Sequence, residues 1–173
     1  MMKTRVLGIT SLCSGSPFER IGTNHLFFYD FDNISEELVC EEARRLHEKF
    51  GIDIYVLKSS EKSFHLISFD ILEYRQVQSV QADIRLESDY PLISERMWDK
   101  FLTLRITNKA KKKPPIFVKA FVQTPYSSTG FKKSLQHYLL YQEICKIPPA
   151  PKWYEWKNVE LYFASYQTSH GIS

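Results

Sequence analysis

Two aspartates lie two positions apart at the end of an aromatic run, in the segment HLFFYDFDN at residues 25–33. In a β-strand, residues two apart point to the same face, so Asp30 and Asp32 would project together while Tyr29 and Phe31 pack into a core behind them. Adjacent like charges repel each other, and the usual remedy is a divalent cation with hard oxygen ligands. The spacing therefore indicates a Mg²⁺ or Mn²⁺ site on a sheet.

Two later strands of the predicted sheet carry polar side chains at alternating positions. Ser63 and His65 lie two apart in one of them, and Arg105 alternates with leucine and isoleucine in the other, followed by Lys109. If these strands are neighbours, the carboxylates would hold a cation, and the imidazole, guanidinium and ammonium groups would neutralise phosphate oxygens. This combination suits a metal-bound polyphosphate.

The elements that must position these residues alternate between hairpins and helices. Apolar spacing and turn residues predict strands at 5–11, 25–32, 52–58, 63–71, 101–107, 116–123 and 159–166, and helices at 36–50, 73–86 and 131–145. This order predicts an α+β fold with a mixed or antiparallel sheet and helices packed on one face. An RNA-recognition-like (ferredoxin-like) βαββαβ core would lie within residues 25–107.

Size and charge are those of one globular domain with a mild excess of positive charge. The chain has 173 residues, 43% of them hydrophobic and 25% charged, and a formal net charge of +3. This balance permits an anionic partner without requiring one. A cluster of lysines marks the loop after the 101–107 strand, and it is either a solvated loop or a contact for a phosphate backbone: Lys109, Lys111, Lys112 and Lys113.

The cysteines and the hydropathy favour an intracellular protein. Cys13, Cys40 and Cys145 are far apart and form no CxxC pair, so neither a disulfide framework nor a zinc ribbon is indicated. No apolar stretch approaches the roughly 20 residues of a membrane span. The first residues are too weakly apolar for a signal peptide. We therefore expect a cytoplasmic location and no membrane partner.

Asp30-x-Asp32 at a strand end, combined with Ser63-x-His65 after a serine-containing turn, resembles the archaeo-eukaryotic primase (primase-polymerase) superfamily. The segment around Arg105 and Lys109 looks like the basic strand of plasmid and viral members. The resemblance covers about residues 25–110, and residues 111–173 would form a C-terminal extension. It implies a single primase-like domain over 1–173 with a primase-polymerase catalytic core.

By this resemblance the chain would be a DNA primase or polymerase, a nucleotidyltransferase that joins nucleotides on a DNA template and primer. Asp30 and Asp32 would be the catalytic metal ligands for Mg²⁺ or Mn²⁺. The residues that contact the nucleoside triphosphate would be Ser63, His65, Arg105 and Lys109, and those that contact nucleic acid would be Lys111, Lys112 and Lys113. A helicase or second primase subunit would supply unwinding, and a virus or plasmid working inside a host cell is the expected source.

Other interpretations stay open, because the 101–107 strand carries no third acid and Thr103 or Arg105 takes its place. The chain could be a catalytically impaired primase-fold module that only binds nucleic acid. It could also be a metal-dependent nuclease that uses the same carboxylates. Taken singly, the acids could be exposed at a strand end, His65 could be a structural histidine, and Arg105 could lie at a sheet edge.

Overall fold

A computed structural model describes residues 8–16, 18–95, 101–106, 113–122, 130–148 and 159–160. The strands are β1 (Gly8–Thr10), β2 (Leu12–Ser14), β3 (Asn24–His25), β4 (Phe28–Asp32), β5 (Ile54–Ser60), β6 (Ser63–Ile67), β7 (Leu72–Glu73), β8 (Thr103–Arg105), β9 (Ile116–Phe121), β10 (Lys133–Ser134) and β11 (Val159–Glu160). The helices are α1 (Glu36–Phe50), α2 (Tyr74–Ala82) and α3 (Leu135–Cys145), with a short 3₁₀ helix at Ile93–Glu95. The predicted α+β class is confirmed.

The largest sheet has the strand order β4-β6-β5-β9, and every neighbouring pair in it is antiparallel. Because β4 and β5 are both antiparallel to β6, they run parallel to each other, and α1 connects them. This is a split β-α-β unit with a third strand inserted between its two strands. Strand β8 lies beside β4 but pairs with β1 in the hydrogen-bonded ladders of the described residues.

Local signals account for helix α1. Ser35 accepts a hydrogen bond from the N–H of Leu38 (3.4 Å), and acidic residues occupy the first turn, where the helix dipole favours them. Gly51 ends the helix with a φ of 67°, a left-handed conformation that glycine adopts without strain. The prediction of this helix over residues 36–50 is confirmed.

The segment predicted as one strand over 25–32 is divided between two sheets, so that prediction was wrong. His25 belongs to β3, which pairs with β2 and β7, whereas β4 begins at Phe28 and pairs with β6. Between them the N–H of Leu26 donates to Ser11 and the carbonyl of Phe27 accepts from Ser68. The sequence does not reveal this change of partner, because the apolar run at residues 26–29 continues without interruption through the break.

Helices cover both faces of the main sheet, which corrects the prediction of helices on one face. Helix α3 packs Tyr138 against Tyr55, at a ring separation of 6.4 Å. Helix α1 lies against the other face, where burial raises the pKa of the Cys40 thiol of α1 and the nearby charge of Lys119 in β9 partly offsets that rise. Lys119 pairs with Val56, and Val56 points to the face opposite Tyr55 because the two residues are neighbours in one strand. All of β6 is buried, so each face needs a covering layer.

Several element boundaries differ from those predicted. Helix α2 ends at Ala82 rather than at 86, and α3 begins at Leu135 because Lys133 and Ser134 pair with β11. Of the strands predicted at 5–11 and 159–166, only β1 and β11 fall within the described residues. The three cysteines are free thiols. Within the described ranges, each helix is too short or too polar to cross a membrane.

Candidate functional site

Strands β4 and β6 bring four of the predicted site residues together on one face. Asp30 is paired with His65, and Asp32 with Ser63, in one continuous antiparallel register. Asp30 Oδ1 lies 3.7 Å from His65 Nε2, and Ser63 Oγ donates a 2.5 Å hydrogen bond to Asp32 Oδ1. The two spacings recognised in the sequence therefore belong to one cluster, the β4–β6 site, consisting of these four residues.

Exposure differs between the two strands of the β4–β6 site. The side chain of His65 is 4% exposed and that of Asp30 is 32% exposed, while Asp32 lies at the surface. The imidazole and the Ser63 hydroxyl form the floor, and the carboxylates lie closer to solvent. A cation arriving from solvent would therefore meet carboxylate oxygens first, which are the ligands that Mg²⁺ and Mn²⁺ prefer.

The turn after β4 holds the acidic end of the site in place. Asn33 has a φ of 55°, in the left-handed region that asparagine tolerates better than most residues. The next residue, Ile34, donates its N–H to the carbonyl of Lys62 at 3.1 Å, which ties the turn to the β5–β6 hairpin. Ser35 then begins α1. The chain therefore reverses within two residues of Asp32, and the carboxylate stays at the sheet end.

Arg105 reaches the same end of the sheet from β8. Its guanidinium donates to the carbonyl of Ser59 at 3.2 Å and to that of Lys113 at 2.9 Å. Ser59 precedes Ser60, which is paired with Ser63 of the site. Arg105 thus links β8 and Lys113, three residues before β9, to the β5–β6 hairpin, which gives it a bracing contact that the sequence did not predict.

Most of the lysine cluster lies outside the residues that the structure describes. Lys109, Lys111 and Lys112 fall outside the described residues. Lys113 is exposed, and its carbonyl accepts the hydrogen bond from Arg105. The roles predicted for these four lysines, in phosphate and nucleic-acid contact, stay predictions.

A divalent cation fits the donor set of the β4–β6 site. Among the described residues, no group of three or more His, Cys, Asp or Glu side chains is arranged to hold a metal ion. Mg²⁺, however, usually keeps several waters and is bound through one or two carboxylates together with substrate phosphates. Asp30 and Asp32 supply those two carboxylates on adjacent positions of one strand face.

Asp70, next to the last residue of the predicted 63–71 strand, does not join this site. Asp70 forms an ion pair with Lys133 and accepts a 2.8 Å hydrogen bond from the N–H of Asp53. Lys133 also binds the Asp53 carboxylate at 2.9 Å, and all three side chains are buried. Burial raises the pKa of Asp70 to about 6. Asp99, the other nearby acid in the sequence, lies outside the described residues.

This buried Asp53–Asp70–Lys133 cluster was missed by sequence reasoning. Asp70 and Lys133 meet through an isolated antiparallel bridge between distant parts of the chain. The two residues are more than sixty positions apart in the chain, so no short sequence motif contains both. Full burial and mutual pairing make the cluster a structural tie rather than a place where substrate could bind.

A second buried pair has a recognisable spacing. Ser134 Oγ lies 2.6 Å from His137 Nδ1, and His137 Nε2 lies 3.3 Å from the carbonyl of Thr10. Both side chains are fully buried, and burial lowers the pKa of His137 to about 4. A Ser-x-x-His spacing at a helix start could have been noticed in the sequence. Because no solvent reaches the pair, we do not interpret Ser134 as a nucleophile. The pair is a structural contact that joins α3 to β1.

Comparison of the chain with protein-family models, with curated proteins and with solved structures finds no match.

Proposed function

We propose that this protein is a metal-dependent nucleotidyltransferase of the primase-polymerase type, which joins nucleotides on a DNA template. The observation that carries the proposal is the register of β4 and β6, in which Asp30 faces His65 and Asp32 faces Ser63. Acidic groups near solvent and a hydroxyl and imidazole beneath them suit a nucleoside triphosphate bound with its cation.

The topology around the site supports the same proposal. The order β4-β6-β5 with α1 between β4 and β5, and β8 beside β4, agrees with an RNA-recognition-like core. Strand β4, which ends the main sheet, pairs with β6 on one side and lies beside β8 on the other, so the site has a neighbouring strand on each side. A rigid position is what transfer of a nucleotide requires, because catalysis there depends on positioning and charge stabilisation.

Each residue of the site has a proposed role. Asp30 and Asp32 would hold Mg²⁺ or Mn²⁺, which when bound lowers the barrier by neutralising charge on the phosphates. Ser63 orients Asp32 through its hydrogen bond, and His65 would donate to a phosphate oxygen. Arg105, which braces the hairpin, would lie beside the phosphates with its positive charge.

A nucleic-acid-binding module without catalysis is the second candidate. It is favoured by one observation, that the described residues supply two carboxylates at the site and that Asp70 is engaged elsewhere. Such a module would bind single strands in a salt-sensitive way, and it would tolerate the loss of Asp30 and Asp32.

Primer extension on a DNA template, with Mg²⁺ or Mn²⁺ and each nucleotide pool, tests the proposal. Asp30→Asn combined with Asp32→Asn should reduce incorporation by about 100-fold or more, since the cation loses its protein ligands. Glu41→Gln removes an exposed carboxylate from α1 and should leave the rate unchanged.

Three results would count against the enzyme. A wild-type protein inert with every nucleotide, template and cation would leave the binding module as the better account. Incorporation that persists in the double variant would exclude the β4–β6 site as the catalytic centre. Strand cleavage without added nucleotide would instead identify a nuclease that uses the same carboxylates.

A further inference from the structure

The loop between β2 and β3 presents two large apolar side chains to solvent. Phe18 is 72% exposed and Ile21 is 82% exposed, which is unusual for residues of this size. Gly15 closes the base of the loop with a φ of +95°, and a Cβ there would lie 2.8 Å from the side chain of Thr23. The two ends of the loop therefore lie close together at Gly15 and Thr23, while Phe18 and Ile21 are exposed.

A cleft of about 490 Å³ lies beside this loop, at the start of α2. We call it the arginine cleft; the residues that line it include Arg20, Ile21, Asn24, Glu73, Tyr74 and Arg75. Arg20 lies over the ring of Tyr74, at 5.8 Å from its centroid, which is within the range of a cation–π interaction. The guanidinium is thereby held at the wall of the cleft.

The charge of the arginine cleft favours an anion. Arg20 and Arg75 are exposed and contribute two guanidinium groups. The carboxylate of Glu73 also lines the cleft, but it accepts a backbone N–H in the first turn of α2 as part of a capping box with Gln76. The partial positive charge of the helix end offsets the charge of Glu73, so the arginines dominate.

The cleft and the β4–β6 site are connected by a short stretch of chain. Asn24 lines the cleft, and Asp30 of the site follows six residues later, through β3 and β4. Extended chain rises about 3.3 Å per residue, so Asn24 and Asp30 lie no more than about 20 Å apart. A single nucleic-acid strand of a few nucleotides spans that distance.

We propose that the arginine cleft binds the sugar–phosphate backbone of single-stranded nucleic acid, with Phe18 stacking against a base. Guanidinium groups match phosphate geometry, and an exposed aromatic ring stacks on any base. The ligand class rests on the proposed function, since a template-dependent enzyme must hold a strand outside its catalytic centre. That strand would then lie in the arginine cleft.

Fluorescence anisotropy with a labelled oligothymidylate, in EDTA and without nucleotide, measures this contact separately from catalysis. Arg20→Ala with Arg75→Ala should weaken binding about tenfold, and the slope of log Kd against log salt should fall by about 1.4, at roughly 0.7 for each phosphate contact. Phe18→Leu should weaken binding about fivefold, while Phe18→Trp should preserve it, because stacking needs an aromatic ring.

Arg44→Ala with Lys119→Ala is the matched control, because it removes two exposed positive charges from α1 and β9. Binding that is unchanged in the cleft variant, or equally weakened in the control, overturns the proposal. So does a wild-type protein that binds no single strand. If the cleft variant binds normally while the wild type incorporates nucleotides, the cleft alone is excluded. If binding depends on the cleft but incorporation is absent, the cleft is supported and the enzyme is excluded.

Discussion

The carboxylate of Asp30 faces the imidazole of His65 across two paired strands, with 3.7 Å between Oδ1 and Nε2. The strand pairing sets this distance, because both residues lie in the middle of a continuous antiparallel register. An acid and a histidine held in this way present a ligand for a cation and a donor for a phosphate side by side. The consequences concern both binding and stability.

Metal binding should stabilise the folded protein through Asp30 and Asp32. At a Mn²⁺ concentration of 100 times its Kd, linkage predicts a gain of about 2.7 kcal/mol in the free energy of unfolding. Differential scanning fluorimetry with and without Mn²⁺ measures the gain as a rise in Tm. The rise should disappear in Asp30→Asn with Asp32→Asn and persist in Glu41→Gln. An equal rise in all three proteins would mean that the cation binds elsewhere.

Replacing Arg105 with methionine should loosen the β5–β6 hairpin, because the guanidinium donates to the carbonyls of Ser59 and Lys113. We expect a loss of about 1.5–3 kcal/mol in the free energy of unfolding, the usual contribution of hydrogen bonds from a charged group. Arg105→Lys keeps the charge but not the planar fork, so it should recover only part of the loss. Urea unfolding of the three proteins measures this. Full stability in Arg105→Lys would show that charge alone matters.

Lys133→Met should be among the most damaging single substitutions, because it leaves Asp53 and Asp70 buried without their cation. Removing one partner of a buried ion pair typically costs about 3–5 kcal/mol. Lys132→Met, at the exposed neighbouring position, should change the stability by less than about 0.5 kcal/mol. Chemical denaturation compares the two. Adding Asp70→Asn to Lys133→Met should restore part of the loss; if it does not, charge is not the cause.

The stability of the protein should fall as the pH drops from about 6.5 towards 4, on account of His25 and His137. Burial lowers the pKa of each to about 4, so the folded state keeps them neutral while the unfolded state, with a pKa near 6.5, takes up protons. Their contribution is fully present above pH 6.5 and is lost as the pH falls. Asp70, with its pKa raised to about 6, acts in the opposite direction between pH 3.8 and 6.

The variant that checks this pH dependence is His137→Asn, whose amide oxygen can still accept the hydrogen bond from Ser134. It removes one titrating group, so the slope of unfolding free energy against pH should decrease by up to about 1.4 kcal/mol per pH unit. Urea titrations at pH 7 and pH 5 measure the slope. A slope as steep as that of the wild type would assign the acid sensitivity to other groups.

Local patterns in the sequence determined helix α1, the side-chain faces of the site strands and the fold class of this protein. The cap at Ser35 and the glycine at Gly51 delimit α1, because both act through hydrogen bonds within a few residues. Strand alternation put Asp30 and Asp32 on one face of their strand and Ser63 and His65 on one face of theirs, and the α+β class followed from the order of elements. These features depend on interactions between near neighbours in the chain, which is why they could be predicted.

Long-range pairing decided the rest. Only the tertiary structure shows that Asp30 meets His65, that the 25–32 segment changes sheets at Leu26, and that α3 covers the face opposite α1. The same holds for the tie between Asp70 and Lys133. The alternation of apolar and polar residues in a strand is compatible with any partner strand and with either covering helix. Packing among residues far apart in the chain therefore decides the register, the sheet that a strand joins and the face that each helix covers.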